Sequence, residues 1–299
     1  MNTTFDERTW INAVTGEIRT NVNRIIDNGQ EKIISDAKKR TQFQQQLYDY
    51  YGEFFFYRYD TLLDDIDHNT AMAFRYIYLC SVADKNGCIA RTDTTKKCTK
   101  ESDFINIFNM QKTATYKWVN YLSDTELIYK NFDGYYCVSD KYFAKNLSND
   151  EFRRNSIRTF NKGIQDLYKK VGGTQHSFGG EILKLVPYIN IYNNTLCWNI
   201  SERDPNQIEP LTKRNIKLLF RPDTDQGRKL LEKWERFTMD DELIIAEFAS
   251  GEDIHYIVNP RIFYRGNNIQ DLKGLMDHFD IATQQTVKKK MKKRTSKGA

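Results

Sequence analysis

Apolar positions along this chain come in short periodic runs, and none approaches the ~18 consecutive apolar residues of a membrane helix. Residues 1 to 40 are polar and mixed. NAVTGEI, Asn12 to Ile18, reads as a turn between short extended pieces, and Val22 to Lys39 has weak helical periodicity. A helical stretch from Thr41 to Tyr51 follows. The aromatic block Phe54 to Leu63 suits a strand or a helix start, because periodicity does not separate the two over so short a run.

From Asn69 onward the pattern sharpens. Asn69 caps a helix through Val82, with Ala73, Ile77 and Cys80 or Ser81 on one face. Asp84-Lys-Asn-Gly87 is a turn, and Cys88 to Arg91 a short strand. Thr99 to Phe108 is a second helix, with Phe104, Ile105 and Phe108 on one face. Asn109 to Lys112 breaks it, and Thr113 to Leu122 is a third. Leu127 to Asn131 and Tyr135 to Val138 form a hairpin around Phe132-Asp-Gly134, since Asp-Gly favours a tight turn. Helix, strand, helix, turn, helix, hairpin is the order of a winged helix-turn-helix, whose third helix and wing meet DNA.

The same order recurs. LIYKN at Leu127 parallels LIIAE at Leu243, and Tyr135, Val138 and Phe143 match His255, Val258 and Phe263 at an offset of 120. Upstream, Cys88 matches Cys197 at an offset of 109. Arg153 to Lys170 would lead the second copy, with Gly172-Gly173 as the break after it. An internal repeat outweighs local propensity. The expected fold is α+β, mainly helical, with two tandem winged helices. The expected organisation is an N-terminal arm over 1–40, winged helices over 41–146 and 150–267, and a C-terminal helix with a basic disordered tail over 268–299. Leu272 to Phe279 would be that helix.

Charge changes the picture at one end. Seven of the 45 basic residues lie within 288–297, leaving 38 against 40 acidic residues in the body. Lys288, Lys289, Lys290, Lys292, Lys293 and Arg294 form a run suited to sequence-independent contact with a polyanion. In the first recognition helix, Gln111, Lys112, Thr113, Tyr116, Lys117 and Asn120 face outward if Trp118, Val119 and Leu122 face the core. Lys and Gln suit base edges, Asn suits adenine, and Thr or Tyr reaches phosphate. Lys96, Lys97 and Lys100 precede the second helix and would grip the backbone.

In the second copy the recognition helix lies near Gln226 to Phe237. Alignment on the Leu-Ile that follows each helix puts Glu232 and Glu235 in the places of Lys117 and Asn120, which disfavours phosphate. Lys213, Arg214, Lys217, Arg221, Arg228 and Lys229 remain as backbone contacts. Unequal roles follow: the first copy reads sequence, while the second clamps phosphates or mediates pairing between protomers.

The second wing, IVNPRIFYRGN from Ile257 to Asn267, resembles the end of the winged-helix domain in RepL-type replication proteins of low-GC Gram-positive plasmids and phages. Thr15-Gly16-Glu17 resembles the TGE turn of their N-terminal strand segment. Val138, Asp140 and Phe143 fit more loosely, without an Asn-Pro. The resemblance spans about 100 residues per half. It implies sequence-directed binding of double-stranded DNA in a mobile element, most naturally at origin repeats in replication initiation. Transcription regulation at a promoter and a protein-interaction module are the alternatives. The partners so implied are duplex DNA, a second protomer, and host replication or transcription proteins.

Catalytic chemistry finds no footing. His68, His176, His255 and His278 never pair, and there is no phosphate loop, His-Glu-x-x-His or Gly-x-Ser-x-Gly. The Asp64-Asp65 and Asp240-Asp241 pairs read as caps or solvated faces. Gly172-Gly173 and Gly179-Gly180 read as loop punctuation. Cys80, Cys88, Cys98, Cys137 and Cys197 lack zinc-finger spacing and suit a reducing cytoplasm. No enzyme, metal or cofactor is expected, and mean hydropathy of −0.69 speaks against a membrane protein.

Overall fold

Among the described residues, Asn69 starts the most deeply buried helix. Its side chain accepts the Met72 N–H at 3.1 Å, satisfying one of the donors that a helix start leaves open. Burial runs from Met72 through Ser81 without a polar face. A helix apolar on all sides belongs inside a core, with other elements packed around it.

The structure is a computed structural model that describes residues 10–11, 18–19, 28–91, 96–145, 152, 155–221, 224–239, 242–250, 253–266 and 268–295. In chain order come β1 (Trp10–Ile11), β2 (Ile18–Arg19), α1 (Asn28–Tyr51), β3 (Phe54–Arg58), α2 (Leu62–Asp65) and α3 (Thr70–Val82). Next are α4 (Phe104–Phe108), α5 (Lys112–Asp124), β4 (Ile128–Lys130), β5 (Tyr136–Val138) and β6 (Phe143–Ala144). Then β7 (Ser156–Phe160), α6 (Asn161–Val171), α7 (His176–Glu181), α8 (Lys213–Phe220) and α9 (Thr224–Trp234) follow. The chain ends with β8 (Thr238–Met239), β9 (Glu242–Leu243), β10 (Ile245–Ser250), β11 (Asp253–Val258), β12 (Phe263–Tyr264) and α10 (Ile269–Thr295). The class is α+β, with helices and small antiparallel sheets. Among the described residues no helix is long and apolar enough to cross a membrane.

Residues 1–46 and 47–299 form two compact units. In the first, β1 and β2 pair antiparallel, Trp10 opposite Arg19 and Ile11 opposite Ile18. The Thr15-Gly16-Glu17 segment between them lies outside the described residues, as do Arg153 and Asp240-Asp241. The helical stretches expected on either side of residue 40 are one helix, α1, so the boundary placed there falls inside a helix.

In the second unit Phe54–Arg58 is a strand. Phe55, Phe56 and Tyr57 are all buried, as in a strand covered on both faces. β3 lies in a four-stranded sheet of order β12-β7-β3-β6. Ser156–Phe160, expected to open a helix, is the strand β7 instead, and α6 begins only at Asn161. Ile157, Thr159 and Phe160 favour a pleated, buried strand, and β3 supplies the backbone partners. The halves expected as separate tandem domains therefore share one sheet within one unit.

The internal repeat holds at the level of backbone hydrogen bonds. Ile89 N–H donates to Tyr136 O at 2.9 Å, and Val138 N–H to Gly87 O at 2.9 Å. In the second half Leu196 N–H donates to Tyr256 O at 2.8 Å, and Val258 N–H to Asn194 O at 3.2 Å. The bond from Cys98 N–H to Ile89 O recurs as Leu211 N–H to Leu196 O. That from Ser139 N–H to Leu127 O recurs as Asn259 N–H to Ile244 O. The residue matching is thereby corrected: Cys88 corresponds to Thr195, not Cys197, and Leu127 to Ile244, not Leu243. Strand register follows the alternation of buried and exposed faces, and a shared residue type at a nearby position does not set it.

Gly179 and Gly180 are not loop punctuation. They lie in α7 where it crosses α3, and a Cβ on Gly180 would stand 1.8 Å from Thr70 O. Gly172 is a true break, at φ +72.

The C-terminal helix is far longer than expected. α10 runs 27 residues and packs across the outer edge of β10. There the Thr286 hydroxyl meets the Glu247 backbone, accepting its N–H at 3.3 Å and lying 3.1 Å from its carbonyl. The backbone of the basic run continues this helix through Thr295, in place of the disordered tail expected from its charge. Lys, Arg and Met are good helix formers, and extending an existing helix avoids the nucleation cost.

Candidate nucleic-acid interface

The helix expected over Thr99 to Phe108 is shorter. A 3-10 turn over Glu101–Asp103 leads into α4, and the Asp103 carboxylate accepts the N–H groups of Thr99 and Lys100 at 2.9 and 3.1 Å. Phe104, Ile107 and Phe108 are buried, while Ile105 is only half-buried. Asn109 ends α4 in the left-handed conformation, φ 49, and turns the chain into α5.

α5 buries Thr115, Val119 and Leu122. Trp118 is half-buried, with the Arg75 guanidinium 4.0 Å above its ring. Gln111, Lys112, Thr113, Lys117 and Asn120 are exposed together. Tyr116 is half-buried, with the Lys112 ammonium 5.5 Å from its ring. The N-cap Gln111 makes no side-chain capping bond. The N–H groups of the first turn thus point outward without an intrahelical acceptor, a ready site for an anion.

Lys96 and Lys100 are exposed, while Lys97 is drawn into the fold by its 3.0 Å bridge to Asp84. Burial alone would raise the Asp84 carboxyl. The bonds from Lys97 and from the N–H groups of Cys88 and Asn86 outweigh it and lower that carboxyl.

The first hairpin adds residues that the sequence reading passed over. β4 and β5 pair with Ile128 opposite Val138. Gly134 at φ +79 closes the tip, and the Asn131 side chain accepts the N–H groups of Asp133 and Tyr135. This fixed turn leaves Phe132 fully exposed, beside exposed Tyr129 and Lys130. The Phe-Asp-Gly turn was legible in sequence. That nothing covers Phe132 was not.

In the second half, α9 buries Gly227, Leu231 and Trp234 at the spacing of Thr115, Val119 and Leu122. This fixes the register. Lys117 corresponds to Lys229, and Asn120 to Glu232. Glu235 is buried and bonded to Lys213 at 2.9 Å, so it does not face outward as first placed. Glu232 is neutralised within its own helix by Arg228 at 2.9 Å, which also lowers its carboxyl. The surface is therefore basic rather than acidic. Lys229, Lys233 and Arg236, with Glu232 and Phe237, line an open groove of about 370 Å³. The Lys233 ammonium stands 3.7 Å above the Phe178 ring, and partial burial lowers its pKa. Lys233 and Arg236 were missed because the assumed register hid them.

Of the other candidates, Arg214 is exposed and Lys217 half-buried. Arg221 is held by the buried Glu181 at 2.7 Å. Arg228 and Lys213 carry the pairs just described. The Arg228 pair is exposed and worth ~0–1 kcal/mol, so a phosphate competes for it readily, whereas Lys213 and Arg221 are held by buried carboxylates. The side chains of Lys288, Lys289, Lys290, Lys292, Lys293 and Arg294 lie outside the described residues. Among the described residues no cluster of three or more His, Cys, Asp or Glu is placed to hold a metal ion. No family model, curated protein or solved structure matches this chain.

Proposed function

We propose that the chain is a sequence-directed, double-stranded DNA-binding protein built from two fused winged helices. The observation that carries this reading is the twice-repeated order of helix, bridged extended segment, helix, helix and hairpin, with the same backbone bonds in both copies. In each copy the helix before the hairpin buries one face and turns polar and cationic residues outward. In α5 these are Gln111, Lys112, Lys117 and Asn120, which can read base edges. In α9 and the turn after it they are Lys229, Lys233 and Arg236, which suit phosphates. α5 is then the reading helix, α9 the clamp, and residues 288–294 a basic helical extension that adds salt-dependent affinity. With the resemblance to RepL-type proteins, the role we propose is replication initiation at origin repeats of a plasmid or phage.

The test is selection of full-length protein on random duplex libraries at physiological salt. It is run beside a variant with Gln at the basic positions of 288–294. Enrichment of one motif by both proteins supports a sequence-reading core. Binding by the native protein alone, with no motif, reduces the DNA contact to the basic extension and sinks the reading. The position of the motif, at an origin or a promoter, separates initiation from transcription regulation.

A further inference from the structure

Cys88 and Cys137 lie opposite each other across an antiparallel bridge, with their sulfurs 2.9 Å apart. The flanking bonds, Ile89 N–H to Tyr136 O and Val138 N–H to Gly87 O, make this a non-hydrogen-bonded pair. Such pairs bring Cα atoms to about 4.5 Å. That falls within the ~4.4–6.8 Å that a disulfide accepts. Tyr136 and Val138 on either side of Cys137 point into the hydrophobic core, so Cys137 and Cys88 point to the opposite face of the sheet. Both are buried, Cys88 3% and Cys137 1% exposed. The Asn131 amide donates to the Cys88 sulfur at 3.7 Å, and the Lys97 ammonium lies beside it. Cys80 and Cys98, by contrast, belong to the core. In the second half the equivalent pair is Thr195 and Ile257, so the feature belongs to one copy only.

We propose that Cys88 and Cys137 form a dithiol site that peroxide converts into a disulfide, tying the segment at Cys88 to β5. The Cys88 sulfur, beside the Lys97 and Asn131 donors, gives up its proton and attacks a peroxide oxygen. The O–O bond breaks and the departing hydroxide takes up that proton, giving a sulfenic acid and one water. The Cys137 sulfur then displaces the hydroxyl from Cys88 as a second water, and the S–S bond forms. Two thiols give up two electrons and two protons, and one hydrogen peroxide becomes two waters. Burial, then the adjoining Cys88 sulfur, pushes the Cys137 thiol up, while the Asn131 and Lys97 donors stand at Cys88. The inference is independent of DNA binding.

The test treats full-length protein, freed of reductant, with hydrogen peroxide, then unfolds it in a maleimide. Reactive thiols are expected to fall from the five of the sequence to three. The intact mass should drop by two hydrogens, one peptide pair should be linked through Cys88 and Cys137, and dithiothreitol should reverse all of it. Cys88→Ser is expected to keep its remaining thiols reactive. Five reactive thiols after treatment, a link to Cys80, Cys98 or Cys197, or sulfinic acid at Cys88 without a link overturns the proposal. The measurement on the native protein stands even if the variant folds poorly.

Discussion

Arg158 stands directly opposite Phe56 in the β3–β7 ladder, its guanidinium 5.2 Å from the Phe56 ring. The pair sits on an internal two-fold relation of the second unit. β6 joins β3 with Phe143 opposite Tyr57, and β12 joins β7 with Phe263 opposite Thr159. The helices obey the same relation: Thr70 abuts Gly180, and Phe74 meets His176 with ring centres 5.9 Å apart. Two repeats related in this way present their third helices and hairpins symmetrically about one shared sheet.

Gly180→Ala tests the crossing. A methyl group there collides with the Thr70 carbonyl, so the helices must separate, at a cost of about 2–3 kcal/mol. Gly274→Ala in α10 meets nothing within 4 Å and should gain about 0.5–1 kcal/mol from helix propensity alone. Urea midpoints of the two variants should move in opposite directions.

His176 gives the fold a pH dependence. It is buried against Tyr168, and burial, then the nearby positive charge of Arg75, lowers its pKa to about 3. The folded state holds this ring neutral, whereas the unfolded chain protonates it near pH ~6.5. The unfolded state therefore binds the extra proton between those values. The stability that His176 contributes is complete above ~6.5 and is lost as pH falls toward 3, up to about 5 kcal/mol in all. Unfolding free energies at several pH values should decline over this window in the native protein and less steeply in His176→Phe.

The proposed interface predicts unequal effects in its two halves. Lys117→Glu should weaken binding to the selected duplex at least ~10-fold, and Asn120→Ala should relax the preference at one base pair. Lys229→Ala should weaken all sequences alike and reduce the slope of log K against log salt by about one. Equal loss of motif preference from both helices would reverse the assigned roles.

Phe132→Ala should leave the thermal midpoint unchanged within about 1 °C, since the ring is fully exposed and packs on nothing. If the first hairpin enters a groove of the duplex, the same variant should lose several-fold in affinity. A titration at constant salt measures this.

The sequence showed the order of elements in both halves because helix caps and turns are local. Asn69, the Asp84 turn and the Phe132-Asp-Gly134 hairpin each act within a few residues. What it hid was non-local. Ser156–Phe160 is a strand because β3 lies beside it, and neighbouring residues alone suggested a helix. The glycines at 179 and 180 need a crossing helix from more than 100 residues away to be understood. The register of α9 depended on which residues are buried. Glu235 looked like a surface carboxylate until its bond to Lys213 placed it inside.

The hydroxyl of Thr286 has a consequence for solubility. An outer strand with open N–H and C=O groups is a template on which other chains can pair and aggregate. At Glu247 the N–H is taken up by the Thr286 hydroxyl of α10, whose one proton lies between the Ala282 carbonyl at 2.8 Å and the Glu247 carbonyl at 3.1 Å, and the helix packs on this strand. The longer hairpin is thereby withheld from sheet extension between molecules, a safeguard that the three-residue β4 does not require.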